Sequence, residues 1–331
     1  FLDENRNVYS CGSVSEGQLG RTEKDNDIPI QITITIGSSN IVAISAGGSH
    51  SLFLDINGNV YSCGRYDYGQ LGREVLQDAY KPLQITETIG SSNIVAISAG
   101  YYHSLFLAEN GKVYSCGLGT AGQLGHGNIT SYNFPTPIDA LVDSNIVAIS
   151  ASGSHSLFLA KNGNVYSCGR YNYDQLGRTV EDYNYNIPIQ ITETIGNSNI
   201  VAISAGSFHS LFLAENGNVY SCGTGGTYNY GQLGHGEHTN NYNFPTLIDA
   251  LVDSNIVAIS AGHNHSLFIS ADIVTETELL SSTSLGGGGD AVVNGSSPGK
   301  SLSGGGGSGG AIDSLGGKGG SGIVLLKYNT G

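Results

Sequence analysis

The phrase V-Y-S-C-G occurs five times along the chain, carrying Cys11, Cys63, Cys116, Cys168 and Cys222 at intervals of 52, 53, 52 and 54 residues. A period this regular means one supersecondary unit repeated, each copy burying its apolar face against the next. The text around each cysteine is also shared: I-V-A-I-S-A, then x-x-x-H-S-L-F, then a turn such as Asn57-Gly58 or Asn216-Gly217. The cysteine phrase follows, and after a loop of five to eight residues comes Q-L-G. The apolar segments are short, β-branched or aromatic, and bounded by Gly, Asn, Ser and Pro, which is a strand pattern. The unit around Cys222 predicts four strands, over residues 187–192, 200–205, 210–214 and 218–222. Asn-Gly between the last two predicts a type I′ hairpin, with both turn residues at positive φ. Four strands per repeat of this length describe one blade of a β-propeller, where radial packing protects short edges. Helical solenoids are excluded by the strand chemistry and by 50 Gly in 331 residues.

The stretch from Ala99 to Gly125, A-G-x-x-H-S-L-F-L-x-x-N-G-x-V-Y-S-C-G-x-x-x-x-x-Q-L-G, resembles the repeat of the regulator of chromosome condensation family. The resemblance runs from Phe1 to about Ile269, and it implies a propeller of usually seven blades. Cys stands here where that family commonly places Trp. Five blades are visible, and two closures are open. The strands at 256–269 could complete the blade that the N-terminal residues leave partial, closing a five-bladed ring. Alternatively, the lack of any Met, with Phe1 falling inside a repeat, predicts a fragment of a longer parent and a ring of up to seven blades.

A second period lies inside the first. Units around Cys63 and Cys168 share G-R-Y-(D/N)-Y and Q-L-G-R, while those around Cys116 and Cys222 share Q-L-G-H-G and N-F-P-T, as duplication of a two-blade block would leave them. Equivalent loops should then alternate Arg-bearing and His-bearing positions around the ring. The repeats fill residues 1–271, a linker follows at 272–284, and residues 285–331 form a different material in which 18 of 47 are Gly. Such a tail is expected to be extended or flexible. It closes on a predicted strand at 322–328, and it weakly resembles the C-terminal ends of some phage and large-virus surface proteins.

Candidate chemistry is sparse. Gly117-Leu118-Gly119-Thr120-Ala121-Gly122 matches a dinucleotide fingerprint, yet runs into Gln123-Leu124-Gly125 instead of a helix, and Pro298-Gly299-Lys300-Ser301 lacks the first Gly of a phosphate loop. No cofactor is expected. The five cysteines read as small buried fillers, since equivalent positions on neighbouring blades are too far apart for disulfides, and free thiols point to folding in a reducing, cytoplasmic setting. His50, His103, His155, His209 and His265 recur once per unit, which predicts a structural role, each imidazole bonding a loop backbone near its neighbouring Ser. The unrepeated His126, His235 and His238 are more open to function, although His235-Gly236-Glu237-His238 lacks a fourth ligand for zinc. No nucleophile–base pair stands out, so an enzyme is not expected.

The loops carry what remains. Arg65, Tyr66, Tyr68, Tyr101, Tyr102, Arg170, Tyr171, Tyr173, Tyr228 and Tyr230 concentrate the residue types that recognition surfaces use, because Tyr contributes large contact area at low entropy cost. These loops predict a non-catalytic scaffold that binds a protein partner, an assembly neighbour or a glycan. An alternative is a structural or surface component of a large assembly such as a virus particle, tethered by the tail. The resemblance also implies nucleotide exchange on a small GTPase, which is disfavoured here. The even repeat intervals leave no room for that activity's extra wedge, and a net charge of −14 opposes the basic surface used on chromatin. The same charge argues against nucleic acid, and no apolar run is long enough to span a bilayer as a helix.

Overall fold

The structure is a computed structural model describing residues 1–271, apart from 23–25, 75–78, 90, 182–183, 196, 225–229 and 237–240. The predicted linker at 272–284, the Gly-rich segment 285–331 and its terminal strand at 322–328 lie outside the described residues. Twenty strands form six antiparallel sheets. Four sheets are complete blades: β3 (Ile41–Ala46) to β6 (Leu83–Gln84), β7 (Ile94–Ala99) to β10 (Tyr132–Pro137), β11 (Ile146–Ser152) to β14 (Ile189–Gln190), and β15 (Ile200–Ala205) to β18 (Tyr242–Leu247). Two-stranded sheets stand at either end, β1 (Tyr9–Ser10) with β2 (Ile30–Gln31), and β19 (Ile256–Ala261) with β20 (Ser266–Ser270). The strand complement is that of five four-stranded blades, with the fifth divided. Among the described residues β20 pairs only with β19, while β1 pairs with β2 and exchanges backbone bonds with Phe1, so no ladder joins the two halves.

Within a blade each strand pairs with its sequence neighbour, and the register repeats. In the second and third strands His50 faces Gly64, Ser51 faces Cys63 and Phe53 faces Tyr61, and the other complete blades copy this. First strands all open with a register shift, as between Ile94 and Ala96. A bulge there strengthens the local twist. The alternating block visible in the sequence reappears as the fourth strand, which spans two residues in β6 and β14 but six in β10 and β18.

The core lies between blades. Leu52, Leu54, Val60 and Ile85 of one blade pack on Ile94, Ile97, Phe106 and Cys116 of the next, and the following interfaces repeat the arrangement. Phe106, Phe158 and Phe212 are wholly buried, each contributing about 2–3 kcal/mol in apolar transfer. The hairpins differ from the expected type I′ turn. Only the Gly of each Asn-Gly pair takes positive φ, at 79° for Gly58 and 83° for Gly217. The chain reverses over a longer loop in which Gly58 N–H donates to the Asp55 carbonyl and the Asp55 N–H donates to Asn59. Asn216 then uses its side-chain oxygen to accept the Asn218 N–H across the Gly, an Asx turn that needs no left-handed Asn.

Candidate functional site

Four of the five repeated histidines bond a serine hydroxyl instead of loop backbone. His50 Nε2 lies 2.9 Å from Ser104 Oγ of the next blade, and His103, His155 and His209 reach Ser156, Ser210 and Ser266 at 2.9–3.0 Å. The repeat therefore spends its His and Ser on the same joint, one blade apart. Ser104 gives its single proton to the Gln70 carbonyl at 2.8 Å, so His50 must donate from Nε2. Its Nδ1 is then a bare lone pair, and it is buried without a partner, as are those of His103, His155 and His209. Burial pushes these four imidazoles down to about 3, leaving them neutral. Gly stands close against three of them, where a Cβ on Gly100 would sit 2.2 Å from the His103 ring, whereas Ser152 fills the equivalent position before His155. His265, at the end of the row, is exposed.

The Arg or His after Q-L-G also turns inward, contrary to the alternating surface expected of it. Arg73 and Arg178 are buried and donate from Nε to Ser62 and Ser167, both at 3.2 Å, while His126 and His235 lie 2.9 Å from the equivalent Ser115 and Ser221. Both residue types fill one structural slot, because each brings a ring nitrogen or guanidinium to the same hydroxyl. His126 and His235 thus pin the cysteine strand, and burial lowers both below the usual imidazole range. His238, Glu237 and Tyr228 lie outside the described residues. Cys63, Cys116, Cys168 and Cys222 are buried free thiols and Cys11 is half-buried. Desolvation pushes Cys63 and Cys168 up to about 12, where no useful thiolate exists.

Because strands alternate in direction, the loops after first and third strands emerge at the same end of every blade, brought together by pairs such as His103 with Gly117. The predicted aromatic positions among the described residues collect at this end. Arg65 lies over both Tyr68 and Tyr102, each 5.3 Å from its guanidinium carbon, and pairs with Asp67 at 2.9 Å. Tyr102 in turn contacts Tyr68 at 4.8 Å and Tyr101 at 4.2 Å between centroids. Two blades on, Arg170 lies over Tyr173 at 5.7 Å, Tyr173 meets Phe208 at 4.9 Å, and Phe208 meets His263 at 5.4 Å. Tyr171 stacks on Tyr185 at 5.0 Å. Tyr66, Tyr171 and Tyr230 are exposed, the last by 66%. Phe208 and His263 were not among the expected positions. They occupy the same x-x slot of G-x-x-H as Tyr101-Tyr102, and reading that slot across all units finds them.

The model of the RCC1-like domain family matches residues 1–279. Among curated proteins, the E3 ubiquitin-protein ligase HERC2 of Homo sapiens is 31% identical over 268 residues, covering 80% of this chain and 5% of the relative. The ultraviolet-B receptor UVR8 of Arabidopsis thaliana is 29% identical over 300 residues, covering 86% of this chain and 66% of the receptor. The guanine nucleotide exchange factor SRM1 of Saccharomyces cerevisiae is 30% identical, with 80% of this chain and 59% of that protein covered. The chain thus spans a small fraction of HERC2 and about two thirds or less of the other two. Among solved structures, Prp20p from Saccharomyces cerevisiae superposes with a TM-score of 0.69 at 26% identity, covering 82% of this chain and 67% of that one. Human WBSCR16 has the same TM-score at 22% identity, with 86% and 70% covered, and shows the shared fold. With the repeat, the blade register and these matches in agreement, the chain belongs to the RCC1-like domain family.

Proposed function

We propose that this chain is a non-catalytic interaction propeller that holds a protein partner on the loop end of its blades, through the aromatic rows around Arg65 and Arg170. The observation that carries this reading is the contrast between polar residues kept in every complete unit and loop residues that change from unit to unit. The repeated His and Cys of the complete blades are buried in and around the blade joints, as are their repeated Ser apart from half-buried Ser51, so they serve the scaffold. Tyr66 and Tyr171, which only the two Arg-bearing units carry, and Tyr230 are exposed at one end, away from the buried His–Ser joints. Large rigid rings beside guanidinium groups are the usual anchors of protein interfaces. The structure report on Prp20p names binding to Gsp1p and histones, and a second reports it bound to Kap60, which supports a protein as the kind of partner. The repeat relatives named as ligases, receptor and exchange factor differ in activity, so the shared part is the scaffold.

The test is affinity capture from the source cells with tagged wild type and a Tyr171→Ala/Tyr173→Ala variant, followed by quantitative mass spectrometry. A protein captured by wild type is expected to fall by tenfold or more in the variant, on the order of a two-residue interface anchor, with the melting temperature unchanged. Equal capture by both proteins would refute the loop-end reading. Release of a fluorescent GDP analogue from small GTPases is expected at its uncatalysed rate; acceleration would replace binding alone with exchange.

A further inference from the structure

The two Arg-bearing blades are near copies, and they differ where the guanidinium would find its counter-ion. In one, G-R-Y-D-Y-G places Asp67 two residues after Arg65; in the other, G-R-Y-N-Y-D places Asn172 there. The consequence is visible in the side chains. Arg65 donates from Nε to Asp67 Oδ2 at 2.9 Å while lying against Tyr68 and Tyr102. Arg170 has the same ring beneath it, Tyr173 at 5.7 Å, but it forms no ion pair among the described residues. It is exposed at the surface, with exposed Tyr171 next to it and the Tyr173–Phe208–His263 row leading away. Asp174, the nearest carboxylate in sequence, is a left-handed residue at φ 62° and has no bond to Arg170.

We propose that Arg170 is the specificity determinant of the loop end and that its ligand is a carboxylate, an Asp or Glu side chain on an extended partner segment that also lays an apolar or aromatic side chain on the adjoining rings. A guanidinium resting over a ring face can still turn its N–H donors outward, which suits bidentate carboxylate recognition. Arg65, already neutralised by Asp67, offers packing without that demand. The two sites thus divide the work: one is an anchor for shape and the other reads charge. A chain of net charge −14 repels an acidic partner at long range, so recognition has to come from this local contact and should strengthen with added salt.

This inference rests on the loop-end reading, and the experiment separates the two. Random-sequence peptides displayed on phage are selected against wild-type protein, and the enriched peptides are synthesised and titrated. Enrichment of Asp or Glu next to an aromatic or aliphatic residue is expected. Arg170→Gln should weaken such a peptide by roughly tenfold or more. Asn172→Asp, which gives Arg170 the internal counter-ion that Arg65 has, should weaken it by about as much without altering the melting temperature. Asp67→Asn should do the opposite and strengthen binding by releasing Arg65. Enriched peptides that lack acids, or that ignore Asn172→Asp, while still losing affinity in Tyr171→Ala/Tyr173→Ala, would overturn the carboxylate assignment and leave the loop-end reading standing. Peptides insensitive to all these changes would overturn both.

Discussion

Lowering the pH from 7 to 5 should remove much of this propeller's stability, while carboxylates of ordinary pKa are still mostly ionised. His50, His103, His155 and His209 are neutral in the folded chain with values pushed down to about 3, whereas an unfolded chain binds their protons near 6.5. Between those limits the unfolded state holds more protons, so stability is full above pH 6.5 and falls as pH drops toward 3. At pH 5 each imidazole costs about 2 kcal/mol by this linkage, and the four together about 8 kcal/mol. That matches the 5–15 kcal/mol that a folded domain has in total. His126, His235 and His263 are lowered as well by burial, and they add in the same direction.

The assay is urea unfolding followed by circular dichroism from pH 7.5 to 4.5. The slope of stability against pH near pH 5 should approach about 5 kcal/mol per unit, the signature of nearly four protons taken up on unfolding. His155→Gln, which keeps a donor for Ser210 but cannot titrate, should lower that slope by about a quarter whatever its effect at pH 7. A flat profile between pH 7 and 5 would refute the reasoning, since it would mean that the buried Nδ1 atoms accept protons in the folded state at little cost.

The joint makes two more expectations. Ser104→Ala removes both the acceptor of His50 and the donor to the Gln70 carbonyl, leaving buried groups unpaired, and should cost about 2–4 kcal/mol. Ser51→Ala at the same repeat position removes only a bond to the Gln18 carbonyl and should cost about 1 kcal/mol in the same urea titration; equal costs would show that the His–Ser contact contributes nothing. Native-state thiol labelling should modify Cys11 first, with the four buried thiols reacting only as fast as the chain opens. Rapid labelling of Cys116, wholly buried at 0% exposure, would contradict the packing of the blades.

The strand order, the block of two blade types and the inward-facing cysteines were legible because each is a periodic property, and a period survives without any knowledge of distance. The His–Ser joint was not. His50 and Ser104 are 54 positions apart, and the neighbouring Ser51 in the same phrase offered a nearer partner, so local reading assigned the imidazole to its own blade. The Q-L-G-R and Q-L-G-H positions failed for a related reason: Arg and His read as surface residues until Ser62 and Ser115 are seen beneath them. Arg65, Arg170 and their tyrosines were singled out by loop composition, and the structure shows them touching one another, yet the rings that extend the second row, Phe208 and His263, sit in a slot whose identity changes from blade to blade.

That last difference locates function in a repeat protein of this kind. A position that must join two blades is held to one chemistry in every complete unit, as with His donating to the next Ser, or to two that serve one hydroxyl, as with Arg178 and His126. Such positions have no freedom left to recognise anything. A position free of the joint can diverge between copies, and divergence that changes charge pairing has consequences only at the surface. Asp67 and Asn172 are such a pair: their exchange alters no joint, leaves the ring beneath each Arg in place, and changes only whether a guanidinium is satisfied from within. Comparing copies inside one chain therefore separates scaffold from contact surface without any second sequence, and here it isolates Arg170.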